Sequence, residues 1–242
     1  MTEDVFNELV AAAYDADSPE MFEPELLART TAFLAELAGD GPALEFAIGT
    51  GRVALPLSQR GVTVHGIDIS EAMVAKRLEK PGGPAIPVTI GDIASTRVRG
   101  EFQVVYIPFN TITNLETQEA QVACFANAAA HLRSGGFFVV DVFVPELLRL
   151  SQGERFVPFK VGPAHLGFDE YDVVDQVCVS HHYFVRPDGV QYFRSRHRYA
   201  WRPEYDLMAQ LAGLELHGRW ADWAKARFTG ESGGHISVWR KP

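Results

Sequence analysis

The sequence predicts an α/β fold: an open, mainly parallel sheet with helices on both faces and an antiparallel hairpin inserted after its fifth strand. Three observations carry that expectation. Between residues 41 and 145 short apolar runs alternate with segments of helical period, the pattern of parallel strands joined by right-handed helical crossovers. The first run, LEFAIGTG, passes from Leu44 directly into a glycine-spaced turn at Gly49 and Gly51. Beyond Pro145 the alternation stops, and YFVRPDGVQYF reads as two strands around a Pro-Asp-Gly turn.

Each element has its own local signal. Residues 3–14 and 23–38 place apolar side chains at helical spacing, the second segment opening near Pro24 and closing at Gly39. Leu44 to Ile48 is the first strand. Arg52 to Gln59 is a helix in which Pro56 is tolerated only within the first turn or so. Val62 to Ile67 is the second strand, and Ser70 is placed to cap a helix over Glu71 to Leu78. After the PGGP loop come strands AIPVTI and FQVVYI, a helix from Gln118 to Leu132 behind the cap Thr117, and GGFFVVDVF as the fifth strand. The helix EYDLMAQLAG and the strands LELHGRW and HISVWRK close the chain, the last two forming a hairpin that returns to the sheet. One domain is expected from 242 residues. Its parts are a helical N-terminal cap (1–40), a ligand-binding core (41–145), an antiparallel insertion or lid (146–202), and a C-terminal helix with strands 6 and 7 (203–242).

Composition narrows the partners. A formal charge of -9 and a pI near 5.4 argue against nucleic acid and favour a small molecule. Cys124 and Cys178 lack CxxC spacing, so both are read as buried reduced thiols rather than zinc ligands or a disulfide. The opening MTEDVFNELV is acidic and has no signal-peptide core, and no apolar run approaches the ~20 residues that span a bilayer. A cytoplasmic protein without a membrane partner is expected.

An open α/β sheet binds its ligand beyond the carboxyl ends of its strands. Here those ends carry Gly49-Thr50-Gly51, then Asp68, then Asp92, then Pro108-Phe109-Asn110. GTGRVA also satisfies the nicotinamide-dinucleotide pattern, but Glu45 beside the turn would repel a pyrophosphate and attract an ammonium. S-adenosylmethionine has that polarity. The series resembles the class I S-adenosylmethionine-dependent methyltransferases, whose sheet is Rossmann-like and whose first motif is an acid followed by G-x-G-x-G. Glu45 to Gly51 matches that motif with Ala47 at the first glycine.

The resemblance covers roughly residues 40 to 145 and the terminal hairpin, and it implies S-adenosylmethionine as cofactor, no metal and a cofactor site. GIDIS makes Asp68 the ribose acid and Ile69 a wall of the adenine pocket, with Met73 facing the ring. GDIAS brings Asp92 to the adenine amine beside Ile93. Tyr14 matches an N-terminal tyrosine that reaches the cofactor in small-molecule members, and Pro108 and Asn110, at the end of the fourth strand, are counted with the cofactor-binding residues, Asn110 also as a residue that could orient the acceptor. Replacing Asp68 is expected to weaken cofactor binding and spare the fold. Local readings stand beside these: Glu45 as an edge-strand acid, Asp68 as a helix cap, Asp92 as a turn former, Met73 and Tyr14 as core, and Asn110 as a residue that merely satisfies its loop.

The hairpin offers a clue to the acceptor. With Pro187, Asp188 and Gly189 as a three-residue bulged loop, Arg186 opposes Val190 and Val179 opposes His197. Val177, Val179, His181, Tyr183 and Val185 then share a face with Phe193, Ser195, His197 and Tyr199, and Arg194, Arg196 and Arg198 take the other. His181 and His197 would line an aromatic lid and serve as near-neutral catalytic bases; packing against the domain, or against a second subunit in a homodimer, is the alternative. Trp201, Trp220, Trp223 and Phe228 are further candidates for the pocket wall. The expected activity is methyl transfer to an O or N of a small molecule, in secondary metabolism. The alternatives are a nicotinamide-dependent oxidoreductase, against which the lack of a Tyr-x-x-x-Lys pair also counts, and a non-catalytic S-adenosylmethionine-binding protein.

Overall fold

The computed structural model describes residues 8–242, so the start of the helix expected from residue 3 lies outside the described residues. Two helices, α1 (Glu8–Asp17) and α2 (Pro24–Ala38), precede the alternating region. That region runs β1 (Ala43–Phe46), α3 (Ala54–Gln59), β2 (Val64–Asp68), α4 (Glu71–Leu78), β3 (Val88–Ile90), β4 (Phe102–Ile107), α5 (Gln118–His131) and β5 (Leu132–Phe143). Ser70 Oγ accepts from the Met73 amide at 3.2 Å and Thr117 Oγ1 from the Ala120 amide at 3.1 Å, so both expected caps form. Pro56 is the third residue of α3, inside the first turn, where its missing N–H costs no helical bond.

The central sheet has the order β10-β11-β5-β4-β1-β2-β3, with β10 (Glu215–Trp220) and β11 (Gly234–Arg240) antiparallel at one edge. Every residue of β1 is buried, because helices cover both faces of a parallel sheet. Leu44 and Phe46 pack on one side with Phe102, Phe125, Phe138 and Trp239. Ala43 packs on the other with Leu34, Leu57, Val104 and Val139. Strand order reverses between β4 and β1, which opens a crevice at their carboxyl ends. No helix among the described residues is long and apolar enough to cross a membrane.

Between β5 and α6 (Arg202–Leu211) the chain forms a second sheet, β6-β7-β8-β9, where only a hairpin was expected. The strands missed are β6 (Phe156–Val161) and β7 (His165–Asp172). HLGFDEYD mixes glycine, acids and apolar residues without strand alternation, so its extended form depends on pairing with β8 (Val177–Arg186).

The register of β8 with β9 (Gly189–Arg198) corrects the expected one. Arg186 opposes Gly189, so the loop has two residues, Pro187 and Asp188, and Cys178, not Val179, opposes His197. Every residue of β9 therefore lies on the opposite face to the one expected. Val177, Val179, His181, Tyr183 and Val185 share their face with Arg194, Arg196 and Arg198, and His182 shares the other with Phe193, Ser195 and His197. Mixing valines with arginines is tolerated because over most of its length this face looks outward: Arg194, Arg196, Val190 and Tyr192 are exposed.

Candidate active site

The glycine turn after β1 is built for close approach. Gly49 and Gly51 have φ of 54° and 80°, in the left-handed region where a side chain is strained. A Cβ on Gly51 would lie 2.9 Å from Arg77 Cγ, and one on Gly49 would lie 3.3 Å from the Met73 methyl. Ala47 shares the left-handed conformation, at φ 58°. The methyl at the family's first glycine position thus sits in a strained backbone.

Asp68 ends β2 and faces this turn. Its Oδ2 accepts from the Gly49 amide at 2.6 Å and its Oδ1 from the Ser70 amide at 2.8 Å. The buried carboxylate therefore holds the turn, which corrects the expectation that its loss spares the fold. Ile69 is 67% exposed while Met73 and Ile93 are buried, so an apolar side chain stands open beside Asp68, as an adenine wall requires. Asp92 is exposed; its Oδ1 accepts from the Ala94 amide at 2.8 Å, forming its own turn. The turn-former reading holds for that oxygen, and Oδ2 accepts no hydrogen bond among the described residues.

Glu45 is fully enclosed. Its Oε2 accepts from the Tyr106 hydroxyl at 2.8 Å, and burial lifts its pKa to about 8, against the opposing effects of Tyr106 and Arg52. It is thus not the standing anion assumed from the sequence. A nearby cation would favour its ionisation.

Arg52, next after Gly51, went unnoticed in the sequence. It donates to the Met21 carbonyl at 3.1 Å, and its guanidinium lies 5.4 Å from the centre of the Phe109 ring. Its charge acts on Glu45, Tyr14, Tyr106 and Asp141. The readable signal was a lone cation following the glycine turn. Thr50 Oγ1 donates to Asp15 at 2.7 Å, tying α1 to the turn, and Lys80 pairs with the same carboxylate. That tie brings Tyr14 among Arg52, Asp68 and Glu45, where burial raises its pKa.

The turn after β4 is strained and clasped. Phe109 and Asn110 have φ of 54° and 58°, two successive left-handed residues that persist only when surroundings fix them. Asp141 on β5 does so: Oδ2 accepts from the Phe109 amide at 3.0 Å and its carbonyl from the Asn110 amide at 2.8 Å. Asn110 Oδ1 in turn accepts from the Phe143 amide at 3.1 Å, and Nδ2 donates to Thr113 at 3.2 Å. Asn110 is occupied by its loop, next to the buried Pro108. Burial raises Asp141 to about 6, opposed by the Phe109 amide, Arg52 and Trp223.

Over this end lies the inner face of the small sheet. His197 reaches Thr113 Oγ1 at 3.3 Å through Nδ1 and Ser195 Oγ at 2.8 Å through Nε2, and burial lowers it to about 4. Thr113 Oγ1 donates to the Asn110 carbonyl, so His197 Nδ1 is the donor in that pair and both ring nitrogens are satisfied. His181 does not join it. The two-residue loop turns His181 to the opposite face, where it meets Tyr192 Oη at 2.7 Å and Glu170 at 3.3 Å. His182 is the inward neighbour that the expected register concealed. Trp220 and Trp223 pack edge-on against Phe33 of α2, as core rather than pocket wall.

These residues fit S-adenosylmethionine: a ribose acid, an open apolar wall, an acid with a spare oxygen, and a carboxyl with an arginine for the amino-acid end. Among the described residues no group of His, Cys, Asp and Glu has a metal-binding arrangement.

Comparison with known proteins agrees with this geometry. A family model described as a methyltransferase domain matches residues 43–136. The chain is 35% identical to the CcbJ methyltransferase from Streptomyces caelestis, covering 100% of this chain and 99% of that one at a TM-score of 0.88. It is 25% identical to the cypemycin N-terminal methyltransferase of a Streptomyces species, over 94% of each. Its fold is also similar to that of CalS10, a S-adenosylmethionine-bound amino pentose methyltransferase from Micromonospora echinaspora, with TM-score 0.72, 20% identity, 99% of this chain and 100% of that one.

Proposed function

The chain belongs to the class I S-adenosylmethionine-dependent methyltransferases, and on that premise we propose that it methylates an O or N of a small molecule bound between the strand ends and the inner face of the lid. The observation that carries this reading is Asp68, fixed by the Gly49 and Ser70 amides at the mouth of the glycine turn. In this reading Asp68 holds the ribose, and Ile69, Met73, Ile93 and Asp92 hold the adenine. Glu45 and Arg52 take the ammonium and carboxylate of the methionine end, Gly49, Gly51 and Ala47 give it room, and Tyr14 closes over it. Pro108 and Asn110 shape the acceptor side through the strained turn.

S-adenosylmethionine supplies the activated methyl, and transfer is a direct displacement, so alignment can provide much of the rate. His197 is a positioning residue that fixes the lid to Thr113. In this reading the described part of segment 1–40, residues 8–40, caps the core 41–145, segment 146–202 is its lid, and 203–242 completes the sheet. Names of relatives such as the amino pentose and N-terminal methyltransferases support a secondary-metabolite acceptor. Buried free thiols at Cys124 and Cys178 suit a reducing cytoplasm. The outward face of the lid, with Phe156, Val190 and Tyr192 exposed, is the face a second copy would cover in a homodimer.

Calorimetry with S-adenosylmethionine, S-adenosylhomocysteine and NADH tests the cofactor. Binding of the first two and not the third is expected, and tight NADH binding alone would sink the reading. Turnover on a panel of amines and phenols separates an enzyme from a mere binder.

A further inference from the structure

We propose that His182 and His165 form a proton relay on the inner face of the lid, His182 Nε2 taking the proton that an acceptor O–H or N–H loses on methylation. His165 passes it toward the acidic end of α1. The inference rests on the methyl-transfer reading above and adds the identity of the base.

Geometry sets this pair apart from the other lid histidines. His165 Nε2 and His182 Nδ1 lie 3.0 Å apart, and the rings stack with centroids at 5.2 Å and an interplanar angle of 15°. Phe159, Phe184 and Phe193 pack around the His182 ring and fix it. Both nitrogens of His197 and of His181 are already engaged. His182 Nε2 has no hydrogen-bond partner among the described residues.

The pair also spans the right gap. One layer along the same face lie the opposed Ser180 and Ser195, and Ser195 leads through His197 to Thr113 and the strained turn. At the other end Asp17 and Glu20 act on His165, and Arg186 grips Asp17 at 3.1 Å. His182 therefore stands between the segment carrying Asn110 and the segment carrying Tyr14.

Charge fits a relay rather than a proton store. Burial first, then His165, His197 and His181, hold His182 at about 4, so it is neutral with a lone pair to offer near pH 7. Burial and Lys160 lower His165, while Asp17 and Glu20 raise it. In the step, the acceptor's lone pair forms the new bond to the methyl carbon, and the electrons of the broken S–C bond stay on sulfur. The electron pair of the acceptor's O–H or N–H bond stays on the acceptor, and the proton goes to His182 Nε2. The Nδ1 proton of His182 moves to His165 Nε2, and His165 releases its Nδ1 proton to water beside Asp17 and Glu20.

The test has two arms. Imidazole nitrogen NMR on the wild type with S-adenosylhomocysteine should show His182 protonated at Nδ1 and bare at Nε2, with the Nε2–H form appearing in His165→Ala. A His182 Nε2–H form in the wild type, unchanged in His165→Ala, overturns the relay. With 4-aminophenol as the acceptor probe, S-adenosylhomocysteine release should fall about 100-fold in His182→Gln and about 10-fold in His165→Gln, while calorimetric cofactor affinity stays within about twofold in both. Wild-type turnover in His182→Gln also overturns it. A wild type that fails to bind S-adenosylmethionine overturns the methyltransferase reading itself, and one that binds it but leaves this probe unmethylated hands the decision to the NMR arm.

Discussion

In the proposed site Glu45 would couple proton and cofactor. Burial lifts its pKa to about 8, above the ordinary ~4.3 of the unfolded chain, so between those values the folded protein holds a proton that the unfolded one has lost. Its contribution to stability therefore falls as pH rises through that window. Glu45→Gln should resist urea better than the wild type at pH 8.5, by several kcal/mol, and match it near pH 4; its affinity for S-adenosylmethionine should drop. Cofactor binding near pH 7 should release a proton, seen as a binding enthalpy that varies with the buffer's ionisation heat. A buffer-independent enthalpy would remove Glu45 as the ammonium's counter-charge. Asp68→Ala should lose roughly 2–4 kcal/mol of cofactor affinity. It should also cost the fold about 1–3 kcal/mol, because the Gly49 and Ser70 amides lose their acceptor. Normal cofactor affinity in that variant would reduce Asp68 to a turn residue.

The proposed acceptor site rests on two elements, the turn after β4 and the β8–β9 pair. Asn110 is left-handed and bonds both Phe143 and Thr113, so Asn110→Ala should destabilise by about 2 kcal/mol, whereas Asn110→Gly keeps the dihedral and should lose about half as much. Equal losses in denaturant melts would mean that the left-handed backbone carries no strain. For the lid, the two-residue loop separates the histidines by face. His181→Ala should keep turnover within about twofold, while His197→Ala should lower the melting temperature through the lost bridge to Thr113. A collapse of turnover in His181→Ala with the fold intact would bring the bulged register back.

For the whole molecule, stability against pH follows from groups spread over both sheets. Burial holds His182, His197 and His235 at about 4, so each binds its proton more readily in the unfolded chain and their contribution is lost as pH falls from ~6.5 through 4. Glu45 and Asp141, raised to about 8 and about 6, act in the opposite sense and oppose the rise. The histidines outnumber them below ~6.5 and Glu45 stands alone above it, so the melting temperature should peak near pH 6.5–7 and drop on both the acid and the alkaline side. A flat profile from pH 5 to 8 would contradict these burials. The sequence by itself determined what depends on near neighbours: the alternation that makes the sheet, the caps Ser70 and Thr117, the glycine turn, and the order of Asp68 and Asp92 at strand ends. It could not show that Asp68 also holds the Gly49 amide, that Arg52 stands over Phe109, or that Asp141 clasps a strained turn, because each of these partners is remote in sequence. Nor could it choose the lid's register, since one residue of loop length moves every β9 side chain to the other face. Only the tertiary structure decided which face met the domain and which met water, and that choice turned His182 inward and His181 out.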